Sequence, residues 1–257
     1  TWAMNAYPAQ HYALVIWNHG SGWRAQTTKQ PLLKGIAYDQ NSGMDYLTTT
    51  ELAGALSTIR SSTNITLDIL GFDACLMQMA EVATQIAVAP LPAAVMVGSE
   101  EAEPDDGWPY DTILAQLTAN SSENATALAQ AIVTQYLTAY PAPPSLGRET
   151  MSALHLGAVP PLLTAISNFA DSLMASGASD NIAAARRQCE PLYDPEFVDL
   201  YDFANRVQSL VANTGVQSAA AAVKTAIITG AVFSEGHGLN HPNVRGLSIY
   251  FPMSGVV

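Results

Sequence analysis

The run Ile65-Thr66-Leu67-Asp68-Ile69-Leu70 is apolar and β-branched, and it turns at Gly71 into Phe72-Asp73-Ala74-Cys75-Leu76-Met77. Beyond the turn, Leu76, Met79, Ala80, Val82, Ala83 and Ile86 recur at helical spacing. Strand, turn and helix in that order place the turn at the carboxyl edge of a parallel sheet, where such folds present side chains to ligands. Here the side chain presented is a thiol, with the Asp73 carboxylate two residues before it. A helix starting directly after Cys75 would aim its first amides at the sulfur. An earlier run, Tyr12-Ala13-Leu14-Val15-Ile16-Trp17, is too continuously apolar for a half-exposed strand and ends in Asn18-His19-Gly20-Ser21-Gly22-Trp23. Two strands finishing side by side would bring imidazole and thiol together, which is the outline of a Cys-His hydrolase.

The rest of the chain alternates in the same way. Residues 24–45 are polar and Gly-rich, a long loop with Lys29 and Lys34. Thr48 followed by Glu51 forms a capping box for a helix over 48–60, with Leu52, Ala55, Leu56 and Ile59 as its apolar face. The helix after Cys75 stops at Pro90 and Pro92. A strand over 93–99 then runs into Glu100-Glu101-Ala102-Glu103-Pro104-Asp105-Asp106, closed by Gly107-Trp108-Pro109-Tyr110. Helices are expected over 111–117, 122–140, 160–176, 181–188, 199–212 and 216–225, and strands over 151–156, 226–233 and 247–251. This alternation predicts an α/β fold, a three-layer α/β/α sandwich with a mostly parallel central sheet. The 257 residues are read as a single domain, 1–257. The chain opens at Thr1-Trp2-Ala3 without an initiator Met, so it is expected to be a piece of a longer precursor lacking flanking segments.

Composition removes several function classes. A formal net charge of −12 argues against a nucleic-acid partner, because phosphate binding needs clustered Lys and Arg. No apolar run approaches the ~18–20 residues of a membrane span. Two cysteines, Cys75 and Cys189, make no disulfide framework, and no closely spaced Cys/His cluster suggests zinc. Asp39-x-Asn41-x-Gly43-x-Asp45 imitates the start of a calcium loop, but its twelfth position holds Thr50 where such loops place Glu. An Asx-rich turn is the preferred reading, so no cofactor is expected, with calcium as the one candidate.

In the hydrolase reading, His19 activates Cys75 and later protonates the leaving amine, and the intermediate is a thioester. The Gly20 and Cys75 amides are the candidate oxyanion hole. Asp73 is awkward beside a thiol, since a negative charge there opposes thiolate formation. It is therefore either a turn-forming Asx residue or a group that binds a cation on the substrate. The acidic segment offers a second carboxylate, or is simply a solvated loop.

These same residues resemble the clostripain-like cysteine peptidases. The likeness lies in residues 12–23, in Leu70-Gly71-Phe72-Asp73-Ala74-Cys75-Leu76-Met77, in 39–56 and in 98–110. It continues in Asp199-Leu200-Tyr201-Asp202-Phe203-Ala204 and Gly246-Leu247-Ser248-Ile249-Tyr250-Phe251-Pro252. The resemblance implies a caspase-like fold, within the wider clan of caspases, gingipains and legumain. It implies an endopeptidase cutting after Arg or Lys, with His19 and Cys75 as the dyad and Asp73 at the base of the S1 pocket. Glu103 is the expected second pocket carboxylate, with Glu100 and Glu101 behind it and Ser99 at the head of the segment. It further implies self-processing in the loop after the histidine, at Lys34 or Lys29, and a bacterial protein that is secreted, periplasmic or held at the cell surface. The expected partner is a protein or peptide with a basic residue at the cut, acted on by a monomer. The competing expectations are an inactive peptide-binding relative and a Cys-His amidohydrolase on small molecules.

Overall fold

The computed structural model describes residues 1–23, 35–39, 41–43, 45–141 and 147–253. Its strands are β1 (Ala13–Trp17), β2 (Ile36–Asp39), β3 (Asp45–Leu47), β4 (Leu67–Asp73), β5 (Ala93–Gly98), β6 (Thr150–His155), β7 (Phe197–Asp199), β8 (Val232–His237) and β9 (Ser248–Tyr250). Its helices are α1 (Trp2–Ala6), α2 (Thr49–Thr63), α3 (Ala80–Ile86), α4 (Tyr110–Ala119), α5 (Ala125–Ala139), α6 (Val159–Ser176), α7 (Ser179–Gln188), α8 (Leu200–Leu210) and α9 (Thr214–Thr225).

The central sheet runs β1-β4-β5-β6-β8. β1, β4 and β5 pair in parallel, and β6 is antiparallel to both β5 and β8, so four of the five strands point the same way. Helices cover both faces. Ile69, Val95, Val97, Met151 and Ala153 pack with α5, Trp108 and Ile113 on one side. Leu70, Phe72, Met96 and Leu154 pack on the other, with α2, α3, α6, α8 and α9. This is the expected three-layer α/β/α arrangement, and the carboxyl ends of β1, β4 and β5 lie together at one edge. Among the described residues, no helix is long and apolar enough to cross a membrane.

Local chemistry explains much of the pattern. The capping box forms as expected: Thr48 Oγ1 accepts from the Glu51 amide at 3.1 Å and Glu51 Oε2 accepts from the Thr48 amide at 2.9 Å. Leu52 and Leu56 are buried on α2, while Ala55 faces solvent and Ala53 takes its place in the core.

Several sequence expectations are corrected. β1 is an edge strand, paired only with β4 among the described residues, and its side chains are half-buried or exposed, Trp17 at 72%. Its apolar run signals sheet without signalling two covered faces. Part of the long loop over 24–45 is an antiparallel pair, β2 with β3. The helix after Cys75 begins only at Ala80, because residues 75–79 are held in an irregular segment by partners distant in sequence. Residues 226–231 continue α9 as a π-helical turn, and only β8 is strand. Val223, Ile227 and Ala231, spaced four apart, are all fully buried, so the helical face wins over the β-branched composition. Finally, β9 lies outside the central sheet and pairs with β7, a strand with no sequence expectation.

Candidate active site

The register of β1 on β4 sets the site. Trp17 lies opposite Asp73, and the Asn18 amide donates to the Asp73 carbonyl at 3.4 Å. His19 and Cys75 each stand two residues beyond that pair, so equal spacing carries imidazole and thiol to the same edge. Both line one cleft of about 540 Å³, with Tyr38, Asp73, Glu103 and Asp105. No hydrogen bond joins His19 to Cys75 among the described residues.

The two motifs meet through their backbones. A Cβ on Gly20 would stand 2.4 Å from the Cys75 carbonyl oxygen, so only glycine allows this approach. Neither the Gly20 amide nor the Cys75 amide donates to a main-chain acceptor among the described residues. Gly20→Ala must therefore push main chain against main chain. We expect it to destabilise the fold by about 1–3 kcal/mol, read as a lowered urea midpoint. We also expect Cys75 alkylation at a rate at least about threefold different from wild type. An unchanged midpoint and rate would contradict the close approach.

Cys75 is half-buried, and Leu76 after it is in the left-handed region at φ 65°. A non-glycine residue there is uncommon and needs outside support. The support comes from the end of β5: the Glu101 carbonyl accepts from the Leu76 amide at 3.0 Å, and the Ser99 carbonyl from the Gln78 amide at 3.0 Å. The Glu103 amide donates to Cys75 Sγ at 3.3 Å. Burial pushes the thiol pKa up; the Glu103 amide opposes this, while the Glu103 and Asp105 charges add to it. A helix N-terminus makes no contribution here, since α3 starts too late.

Asp73 is 3% exposed. Its Oδ1 accepts from the Trp108 amide at 3.2 Å and its Oδ2 from the Tyr110 hydroxyl at 2.7 Å. The Gly107-Trp108-Pro109-Tyr110 motif is thus a cradle for this carboxylate. Gly107, at φ +65°, has room for no Cβ, which would sit 2.8 Å from Asp73 Oδ1. Glu103 joins Asp73 in the cleft. Both its carboxyl oxygens are buried without a hydrogen bond of ordinary geometry among the described residues. Burial, then the Asp73 charge, pushes the Glu103 pKa well above the usual carboxylate range.

The other expected pocket residues point away. Ser99 Oγ bonds Thr150 Oγ1 at 2.9 Å inside the protein. Glu101 Oε1 meets His241 Nε2 at 2.9 Å. Glu100 is 1% exposed and faces Asp199, the N-cap residue of α8. Residues 99–103 lie beyond the end of β5 in irregular backbone, where each side chain turns to a different partner, so a run of acidic residues does not become one acidic surface. Asp39 Oδ1 accepts from the Asn41 and Ser42 amides at 2.9 and 3.1 Å, an Asx turn. Among the described residues, no group of three or more His, Cys, Asp or Glu could hold a metal ion. Lys29 and Lys34 lie outside the described residues.

Glu100 and Asp199 make a buried carboxyl pair. Burial and then the Asp199 charge raise Glu100 far above its ordinary value, and burial pushes Asp199 up to about 6 against its amide donors. Unfolded carboxyls titrate near ~4. The folded state therefore holds more protons above that point, and stability that is complete at pH ~4 is lost as pH rises through the folded values. The urea midpoint should fall between pH 4 and 8, and Glu100→Gln, which keeps an uncharged partner for Asp199, should flatten that fall. Parallel wild-type and variant curves would refute the assignment of that fall to this pair.

Sequence reasoning missed Gln78, Asp199 and His241. Gln78, 0% exposed, donates to Ser152 Oγ at 2.8 Å and its carbonyl accepts from Ser248 at 3.1 Å, tying the segment after Cys75 to β6 and β9. A lone amide within the apolar run Leu76-Met77-Gln78-Met79 was its only signal.

The sequence model of the clostripain family matches residues 1–255. Clostripain of Hathewaya histolytica is 32% identical over 125 residues, a match that takes up 46% of this chain and 23% of that protein. The matched part of the chain therefore spans about a quarter of that relative's length. A secreted C11 cysteine protease from Bacteroides thetaiotaomicron, solved with an irreversible peptide inhibitor, superposes with a TM-score of 0.65 at 22% identity. That match covers 99% of this chain and 70% of the other. An inactive zymogen C11 protease from Parabacteroides distasonis gives a TM-score of 0.67 at 23% identity, covering 98% and 67%.

Proposed function

The chain belongs to the clostripain family, and on that premise we propose that it is a cysteine endopeptidase cutting on the carboxyl side of Arg or Lys. The observation that carries the specificity is the Glu103 carboxyl, buried beside Asp73 in the cleft that Cys75 lines, with no hydrogen bond of ordinary geometry and only the Trp108 indole and Ala74 amide approaching it. Two adjoining buried carboxyls so weakly served by donors are costly unless a cation completes them. A guanidinium or ammonium entering the cleft supplies that cation, and a guanidinium supplies several donors at once.

The chemistry then follows. His19 takes the Cys75 proton, the sulfur attacks the scissile carbonyl, and the Gly20 and Cys75 amides hold the resulting oxyanion. His19 returns the proton to the leaving amine, which departs and leaves a thioester. Water, deprotonated by His19, hydrolyses it and frees the thiol. Burial and the Glu103 and Asp105 charges disfavour the thiolate. A basic side chain bound on those carboxylates removes part of that repulsion, so substrate binding and nucleophile activation reinforce each other.

A panel of chromogenic peptides ending in Arg, Lys, Asp or Leu tests this reading on reduced protein. Cleavage of the Arg and Lys peptides alone is the expected result. Cleavage of none would favour a peptide-binding relative, and turnover only of small amides would favour an amidohydrolase.

A further inference from the structure

One buried ionic group near the cleft has no part in this chemistry. His241, on the segment between β8 and β9, is 1% exposed. Its Nε2 meets Glu101 Oε1 at 2.9 Å, and its Nδ1 stands 3.6 Å from Glu190 Oε2, an ion-pair separation longer than a hydrogen bond. Both carboxylates have further donors: Glu101 Oε2 accepts from the Ala102 amide at 3.1 Å, and both Glu190 oxygens accept from the Asn243 amide at 3.2 Å. The short Nε2 contact to Glu101 is a strong tether, because breaking it would leave buried polar groups on both side chains without a partner.

What it tethers is the end of β5. The Glu101 main chain is fixed at its amide by Ser99 Oγ at 3.0 Å and Thr150 Oγ1 at 3.2 Å. Its carbonyl holds the Leu76 amide in the strained turn behind the nucleophile, and two residues on the Glu103 amide donates to the sulfur. We propose that His241 is a positioning residue for the Cys75 thiol, acting through Glu101 on the loop whose main chain holds Leu76 and the sulfur. The proposal rests on the reading of Cys75 as the nucleophile. Its effect is local to the thiol, which faces His19, Asp73, Glu103 and Asp105 across the cleft.

The experiment separates the two histidine contacts. In His241→Gln the side-chain amide stands where Nε2 stood and keeps the bond to Glu101. In His241→Asn the shorter amide stands where Nδ1 stood and loses Glu101. Alkylation of Cys75 by iodoacetamide is followed across pH, with folding checked by circular dichroism. His241→Asn should alkylate differently from wild type by about fivefold at pH 7, with the profile displaced toward higher pH as the Glu103 amide bond loosens. His241→Gln should stay within about twofold. Equal behaviour of the two variants, whether both unchanged or both altered, would overturn the proposal. If His241→Asn does not fold, Glu101→Met, which has nearly the same length and no oxygen to accept from Nε2, gives the same readout. A displaced profile then supports the tether, and an unchanged one overturns it. Alkylation needs no peptide cleavage, so a protein that cut no peptide would defeat the proposed function while leaving this test readable.

Discussion

Cys75→Ala should abolish peptide cleavage, with kcat for an Arg peptide reduced by about 10⁴-fold or more. The reason is that no other group can take over the attack. The second thiol, Cys189, is 8% exposed, donates to the Ala185 carbonyl, and is pushed up to about 12 by burial. It lies outside the cleft that His19 lines. The substitution removes a half-buried sulfur and leaves Leu76, Gln78 and the Glu101 carbonyl in place, so the variant should fold. Thermal unfolding within a few degrees of wild type would establish that the lost activity is chemical. A peptide map of the same two samples also tests self-processing: cuts at Lys29 or Lys34 should occur in wild type and be missing from pure Cys75→Ala. Residual cleavage by the folded variant above about 1% of wild type would remove Cys75 from the role of nucleophile.

Asp73→Asn should be the next most damaging change, and its signature is selective. Loss of one carboxylate charge facing a bound cation in a buried cleft typically costs about 2–5 kcal/mol, so kcat/KM for Arg and Lys peptides should fall by about 30-fold or more. The Asn oxygen can still accept from the Trp108 amide, and the Tyr110 hydroxyl can rotate to accept from the new amide, so the cradle survives. The Asp73 charge also holds Glu103 toward its neutral form, so its removal lets Glu103 take up charge beside the sulfur and offsets the gain. Alkylation of Cys75 by a neutral reagent should therefore change by less than about threefold. Equal losses in cleavage and alkylation would mean that Asp73 supports the turn and does not meet the substrate.

The contrast between Asp73 and its neighbours shows what was legible in the sequence. The strand ends, the His19 and Cys75 motifs and the Thr48–Glu51 capping box depend on local spacing, and the structure places them as the spacing predicts. Asp73 attracted notice because a carboxylate beside a thiol is chemically out of place. Glu100, Glu101 and Glu103 are indistinguishable as letters in one acidic run. Their directions are decided by Asp199, His241 and Asp73, which approach from far along the chain. The helix expected straight after Cys75 failed for the same reason. The apolar periodicity was real, but Ser99, Glu101 and Ser248 capture the backbone of residues 76–78 before a helix can start. The run over 226–231 misled in the other direction, since β-branched composition is a weaker signal than the four-residue spacing of Val223, Ile227 and Ala231.

The pairing of a nucleophilic Cys75 with a cation-binding floor is tested most directly by covalent labelling. Two peptidyl acyloxymethyl ketones that differ only in ending with Arg or with Leu would be incubated with the reduced protein, and the adduct followed by intact mass and located by peptide mapping. The account predicts a single adduct on Cys75, formed at least about 100-fold faster with the Arg reagent, and slowed toward the Leu rate in Asp73→Asn. Labelling of Cys189, or equal rates with the two reagents, would contradict it.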